Sequence, residues 1–287
     1  MSVTTHERPG VYSSYDASAA VSGGGGRLVG LAAVNTKAAA NTAYTVTSYE
    51  QALTIFGTGG RMAELIRLAL LNGAAGVIAA AAATAAGYEA AFAVLEKEEN
   101  ICVMLCDSGD AAVHSKLKTS VDSASAARRE RIAVVGAAAG ETVSQLTARA
   151  AALNHQRVVL AGPGGVSSSG QADSGVPLAA AVGGAIAAMD DPAVPLGGQE
   201  LRGLNGVSQQ YSDNDIDLLV RGGVTPLESV SGTVSVVRGI TTRTKTGEVS
   251  DRTWRELSTI LVVDDVIPSI RSALRSKFSR AKNTPQS

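Results

Sequence analysis

Residues 27–280 predict an α/β chain: a mainly parallel, layered sheet with flanking helices, then a C-terminal α+β domain, with flexible arms at both ends. Three observations carry this. From 76 to 189, short apolar runs alternate with helical patterns, the mark of parallel strands joined by helical crossovers. Asp190-Asp-Pro-Ala-Val-Pro-Leu-Gly-Gly198 then interrupts the alternation with two prolines and two glycines. Both ends are small, polar and poor in large apolar residues.

The elements follow in order. Residues 1–26 read as an arm. Arg8-Pro9-Gly10-Val11-Tyr12 is extended or turn-like, because proline restricts itself and its predecessor. The small residues 13–26 end in Gly23-Gly24-Gly25-Gly26, which reads as a hinge. Residues 27–34 form a buried strand and 43–47 an alternating one. Ser48 caps a helix over 49–56 that Gly57 ends. An amphipathic helix follows over 61–71, closed by Asn72-Gly73.

Strands are expected at 77–82, 101–105, 132–135 and 158–161, with helices at 88–97, 110–127, 142–153 and 176–189. Crossover handedness favours a doubly wound arrangement. Past the break, Ser212 and Asp215 make a capping-box-like start to a helix over 213–221, stopped by Gly222-Gly223. The segment 229–232 is turn-like and leads into a strand over 233–241. Residues 253–278 are mainly helical, with Pro268 kinking the helix or opening a new one. The expected division is arm 1–26, α/β body 27–190, C-terminal domain 191–280 and tail 281–287.

Composition narrows the function. The 287 residues are 45% hydrophobic but only 3% aromatic, so the core is built from Ala, Val, Leu and Ile. A formal net charge of −1 gives no electrostatic footprint for nucleic acid or an anionic membrane. No apolar core of a signal peptide is visible at Met1–Pro9. The uncharged run 68–88 has the length of a span but is mostly alanine, and reads as a helix end, a turn and a buried strand. Cys102 and Cys106, about 13 Å apart along one strand, are too far apart for a disulfide and read as buried thiols.

Sites of chemistry are weak. Ile132-Ala-Val-Val-Gly-Ala-Ala-Ala-Gly140 precedes a helix without the Lys-Ser/Thr of a phosphate loop. Val158-Val-Leu-Ala-Gly-Pro-Gly-Gly165 has Ser167 where a dinucleotide site wants its third glycine. Asp213, Asp215 and Asp217 alternate like calcium ligands, but Leu218 and Val224 replace the glycine and glutamate such a loop needs. Asp264-Asp265 reads as a solvated or paired helical site. His6, His114 and His155 share no metal spacing, and Gly165-Val-Ser-Ser-Ser-Gly170 lacks nucleophile-elbow spacing. No catalytic, cofactor-binding or metal-ligating residue is assigned, and no cofactor is expected.

Several segments, taken in their order along the chain, carry a family resemblance. These segments are Arg8-Pro-Gly-Val-Tyr12, Thr45-Val-Thr-Ser-Tyr-Glu-Gln-Ala52 with Phe56-Gly57, Leu70-Leu-Asn-Gly-Ala74 and Ala151-Ala-Leu-Asn-His-Gln-Arg-Val-Val159. Gln199-Glu-Leu-Arg-Gly-Leu-Asn-Gly-Val207 and the block from Ser212 to Arg280 complete the series. In this order they resemble the contractile tail sheath proteins of myovirus-type phages and phage-tail-like particles. The resemblance implies a noncatalytic subunit in stacked hexameric rings around an inner tube. It contracts from a metastable long state to drive the tube into a target envelope.

The implied partners are further copies of the chain, the inner tail tube protein, the baseplate and the tail terminator, with no nucleic acid and no membrane. The implied location is the virion tail or a tail-like particle, after synthesis in the host bacterial cytoplasm. Arg8, Pro9, Gly10, Val11 and Tyr12 become an intersubunit arm on the Gly23–Gly26 hinge; the tether 13–26 reaches roughly 45–50 Å when extended. Sheath proteins usually continue past Phe278 with another helix and a β-rich arm, so 281–287 is expected to be a tail truncated before that arm. The alternative within the class is the sheath of a secretion system or extracellular injection particle. The alternative of another class is a nucleotide-binding α/β enzyme.

Overall fold

A computed structural model describes residues 27–278; the arm Arg8–Tyr12, the hinge Gly23–Gly26 and the tail 281–287 lie outside them. The chain runs β1 (Leu28–Val34), β2 (Ala43–Val46), α1 (Tyr49–Phe56), α2 (Arg61–Leu71), β3 (Val77–Ala82), α3 (Tyr88–Leu95), β4 (Ile101–Cys106) and α4 (Ala111–Ala126). It continues β5 (Ile132–Gly136), α5 (Val143–Leu153), β6 (Val158–Gly162), α6 (Val176–Ala187), β7 (Glu200–Leu201) and α7 (Asp213–Arg221). Last come β8 (Thr225–Val230), β9 (Thr233–Val236), β10 (Lys245–Thr246), β11 (Val249–Ser250) and α8 (Leu257–Phe278).

Nine strands form one sheet in the order β2-β3-β1-β4-β5-β6-β8-β9-β7. Strands β3, β1, β4, β5, β6 and β8 are parallel, while β2, β9 and β7 add antiparallel pairs at the two ends. The interior strands are apolar on both faces because helices cover both. One layer packs α1, α2, α6 and the first turn of α8 on residues such as Leu31, Val103 and Val134. The other packs α3, α4 and α5 on Ala32, Met104 and Val135. The sheet crosses position 190: Thr225 pairs with Ala161, and Leu227, Val234 and Leu257 share a cluster with the body.

With few aromatics, the layers close by backbone approach. Helix α6 is buried along its whole length, and a Cβ on Gly184 would lie 2.3 Å from the Ala69 carbonyl of α2. A β-bulge at Cys102 opposes Leu28–Val29 with Ile101 and Val103. It sends Cys102 towards the first layer and Cys106 into the second. Burial pushes both thiols up to about 12.

Three expectations in the C-terminal region change. Residues 225–230 form a strand, and the turn narrows to Ser231-Gly232, both at positive φ in a two-residue hairpin loop. The strand expected over 233–241 stops at Val236. Beyond it, Gly239 passes so close to Leu196 that a Cβ would sit 2.8 Å from its side chain. The Thr225 hydroxyl holds Ile240 by donating to its carbonyl at 2.8 Å and accepting from its N–H at 3.0 Å. The last helix starts at Leu257 rather than 253, and Pro268 lies inside it without opening a second helix.

Candidate assembly surfaces

The turn Asn154-His155-Gln156-Arg157 is where the sheet holds the C-terminal segment. Thr142 and Gln145 cap α5 reciprocally, and Asn154 ends it in the left-handed region. The Asn154 side chain accepts from the N–H groups of Thr244 and Lys245 and donates to the Lys245 carbonyl at 3.1 Å. His155 N–H donates to the Thr242 hydroxyl at 3.0 Å, and that hydroxyl donates back to the His155 carbonyl at 3.1 Å. His155 is thus structural, with its Nε2 3.0 Å from Asp122. Arg157 grips Asp264 through two bonds of 2.6 and 2.9 Å, each side chain 13% exposed.

Helix α8 therefore lies across the N-terminal ends of the strands. Residues just before β6, β1 and β5 each pair with it: Arg157 with Asp264, Arg27 with Asp265 at 2.7 Å, and Glu130 with Arg271. Burial raises the Asp264 carboxyl above its ordinary range, against the opposing pull of Arg157. Only Leu257, Ile260 and Leu261 of α8 are buried. Beyond them Val266, Ile267, Ile270, Leu274 and Phe278 are exposed, Ile270 by 52% and Phe278 by 57%. Their helical spacing makes an apolar stripe with no covering element among the described residues.

The two sheet edges differ. At β7, the Asn72 side chain accepts from the Arg202 N–H at 2.8 Å and donates to its carbonyl at 3.1 Å. Gln199 donates to the Glu200 carbonyl at 2.9 Å. Side chains thus close this edge. At β2, the Asn41 N–H donates to Ala81, so the odd residues of β3 face β2 and their partners Tyr44 and Val46 point inward. Ala43 and Thr45 present their backbone groups outward, and no described segment pairs with them. Such an edge is a template for strand addition.

The carboxyl ends of the strands, where α/β sheets take ligands, are closed by the protein's own contacts. A Cβ at Gly136 would fall 2.2 Å from the Gly175 backbone, and one at Gly164 would fall 2.2 Å from the Asp173 carbonyl. These turns are backbone packing contacts. Arg61 spans to Asp173 at 2.7 Å and Ser174 at 2.8 Å, and Tyr88 donates to Asp107. His114 is fully buried with Nε2 2.8 Å from the Ser108 carbonyl; burial, aided by Arg149, lowers it to about 4. Asp215 of the alternating acids completes the capping box with Ser212. Among the described residues no group of three His, Cys, Asp or Glu is placed to hold a metal, and no helix is long and apolar enough to cross a membrane.

The central-domain profile of the phage tail sheath protein matches residues 81–242, from the end of β3 through β9. The chain belongs to the phage tail sheath family. That family is a structural one. A curated relative, the tail sheath protein of Bacillus phage SP01, is 29% identical over 191 residues, 64% of this chain. This chain spans about a third of that relative's length, 32%. The fold is that of solved sheaths. The sheath tail protein from Desulfitobacterium hafniense superposes with a TM-score of 0.71 at 12% identity, over 95% of this chain and 83% of that one. The helical sheath of the anti-feeding prophage in its contracted state gives 0.69 at 15% identity, over 98% and 79%. The sheath complex of an extracellular contractile injection system, also contracted, gives 0.68 at 16%, over 98% and 78%.

The sequence places the expected intersubunit residues in the arm, outside the described residues, and does not single out the exposed apolar residues of α8. The signal was present, because apolar residues recur at helical spacing from 266 to 278. A single sequence does not say that the first turn alone reaches the core.

Proposed function

We propose that this chain is the structural subunit of a contractile tail sheath. It polymerises as stacked hexameric rings around an inner tube and shortens to drive that tube through a target cell envelope. The observation that carries this reading is the family profile, which lies on the sheet from the end of β3 through β9. The unpartnered α8 stripe and the open β2 edge support it, since a helical assembly needs surfaces that a monomer leaves uncovered.

The subunit works without catalysis. The stored energy is conformational, released as one packing of rigid cores exchanges for another. Residues 27–190 act as the body and 191–280 as the C-terminal domain, sharing one sheet. Arg8–Tyr12 connects neighbouring subunits, with Gly23–Gly26 as its hinge. Partners are the tube protein, the baseplate and the tail terminator. The site of action is the virion tail or a tail-like particle, after synthesis in the bacterial cytoplasm. Nucleic acid and membrane are not partners of the subunit.

Electron microscopy of this chain mixed with its cognate tube protein tests the reading. Striated sheaths around tubes are the expected result. Bare tubes beside monodisperse chain, with the chain folded by circular dichroism, would overturn it.

A further inference from the structure

A groove of about 600 Å³ runs between α8 and the end of α4, lined by Arg128, Pro268, Arg271, Ser272, Leu274 and Arg275. Arg271 is paired with Glu130. Among the described residues, Arg128 and Arg275 have no carboxylate partner. The groove is cationic at its rim and apolar along Pro268 and Leu274.

Helix α7 carries the complementary pattern. Asp213 and Asp217 are exposed one turn apart and Leu218 is exposed beside Asp217, Leu218 by 47%. Asp217 meets only the exposed Arg221, at 3.1 Å, and Asp213 meets no described cation. Within one chain the two surfaces lie apart. The groove sits under the N-terminal ends of the strands, whereas α7 precedes the parallel strand β8 and starts at their carboxyl ends.

We propose that the groove of one copy seats the exposed face of α7 from a second copy. Asp213 and Asp217 would meet Arg128 and Arg275, and Leu218 would lie on Leu274 and Pro268. Two different patches meet, so the contact is heterologous and repeats from copy to copy instead of closing a two-fold dimer. Charge fixes partner and register, and apolar contact at the centre supplies affinity. The inference rests on the sheath reading for its setting, but it is tested separately.

The experiment mixes two full-length variants, Leu218→Cys and Leu274→Cys, with and without tube protein, under mild oxidation. Native Cys102 and Cys106 serve as the background control in the parent chain. The expected result is a 218–274 heterodimer in several-fold excess over either homodimer, falling as ionic strength rises. A second arm reverses charges. Asp213→Lys/Asp217→Lys and Arg128→Glu/Arg275→Glu should each reduce crosslinking at least tenfold, and the two combined in one chain should restore it. Sheaths that form without the crosslink would overturn this contact and leave the sheath reading standing. The crosslink without sheaths would support the contact and remove the sheath reading. Loss in both charge variants without recovery in the combined, folded chain would also overturn the contact.

Discussion

The first turn of α8 and its remaining turns are built from similar residues but have opposite surroundings. Leu257, Ile260 and Leu261 share a cluster with β-strand and α6 side chains, and Arg157 holds the next residues by a bidentate pair. From Val266 onward the helix keeps its apolar spacing and loses its cover. Burial fixes one part to the sheet, while the other has no cover among the described residues.

Breaking the anchored part has the largest expected effect. Asp264→Ala leaves the Arg157 guanidinium buried without its carboxylate and should cost about 3–5 kcal/mol, read by urea denaturation. Most of that cost is the penalty of leaving one buried charge unpaired rather than the net worth of the pair. Replacing both, as Arg157→Met/Asp264→Leu, should therefore recover to within about 1 kcal/mol of the parent. A double variant as unstable as Asp264→Ala would show that the ion pair is needed as such. Ile260→Ala removes anchoring volume and should cost about 2–4 kcal/mol.

Acid tests the body through one buried histidine. His114 is neutral when folded and titrates near 4, against an ordinary value of 6.5. The unfolded chain therefore binds the extra proton between these values. Stability is full above pH 6.5, falls as pH drops towards 4, and loses up to about 3 kcal/mol. His114→Gln should flatten that slope, as measured by denaturation across pH.

The smallest effects belong to the periphery. Arg27→Ala removes an ion pair whose members are 28% and 51% exposed, and should cost less than about 1 kcal/mol, less still in high salt. Ile270→Ser should leave stability within about 0.5 kcal/mol while reducing assembly. A large loss of monomer stability at Ile270 would erase the contrast between the two parts of α8.

Sequence and structure agree where local and tertiary signals coincide. The helix over 49–56 is bounded by Ser48 and Gly57 as their chemistry demands, and β3 through α6 follow the alternation of apolar runs. The strand β8 was hidden because Pro226 argues against a sheet interior; β8 tolerates it by pairing with β6 at only two residues. The end of β9 is not legible because β-branched residues continue past Val236 to 241, while the chain leaves the sheet where Gly239 packs against Leu196. The uncovered surfaces are the least legible. Whether an apolar helix face is core or interface depends on what lies opposite, and Asn72 closing the β7 edge involves residues 130 positions apart.

The bulge in β4 gives the molecule a built-in clock. One thiol belongs to each side of the sheet: Cys102, partly buried, against the layer of α2 and α6, and Cys106, buried, against that of α3 and α4. A thiol reagent therefore times the opening of the two layers separately in the unmodified protein. A faster Cys102 is expected from its partial exposure alone, so a Cys106 that labels as fast or faster means that the α3–α4 side opens at least as readily.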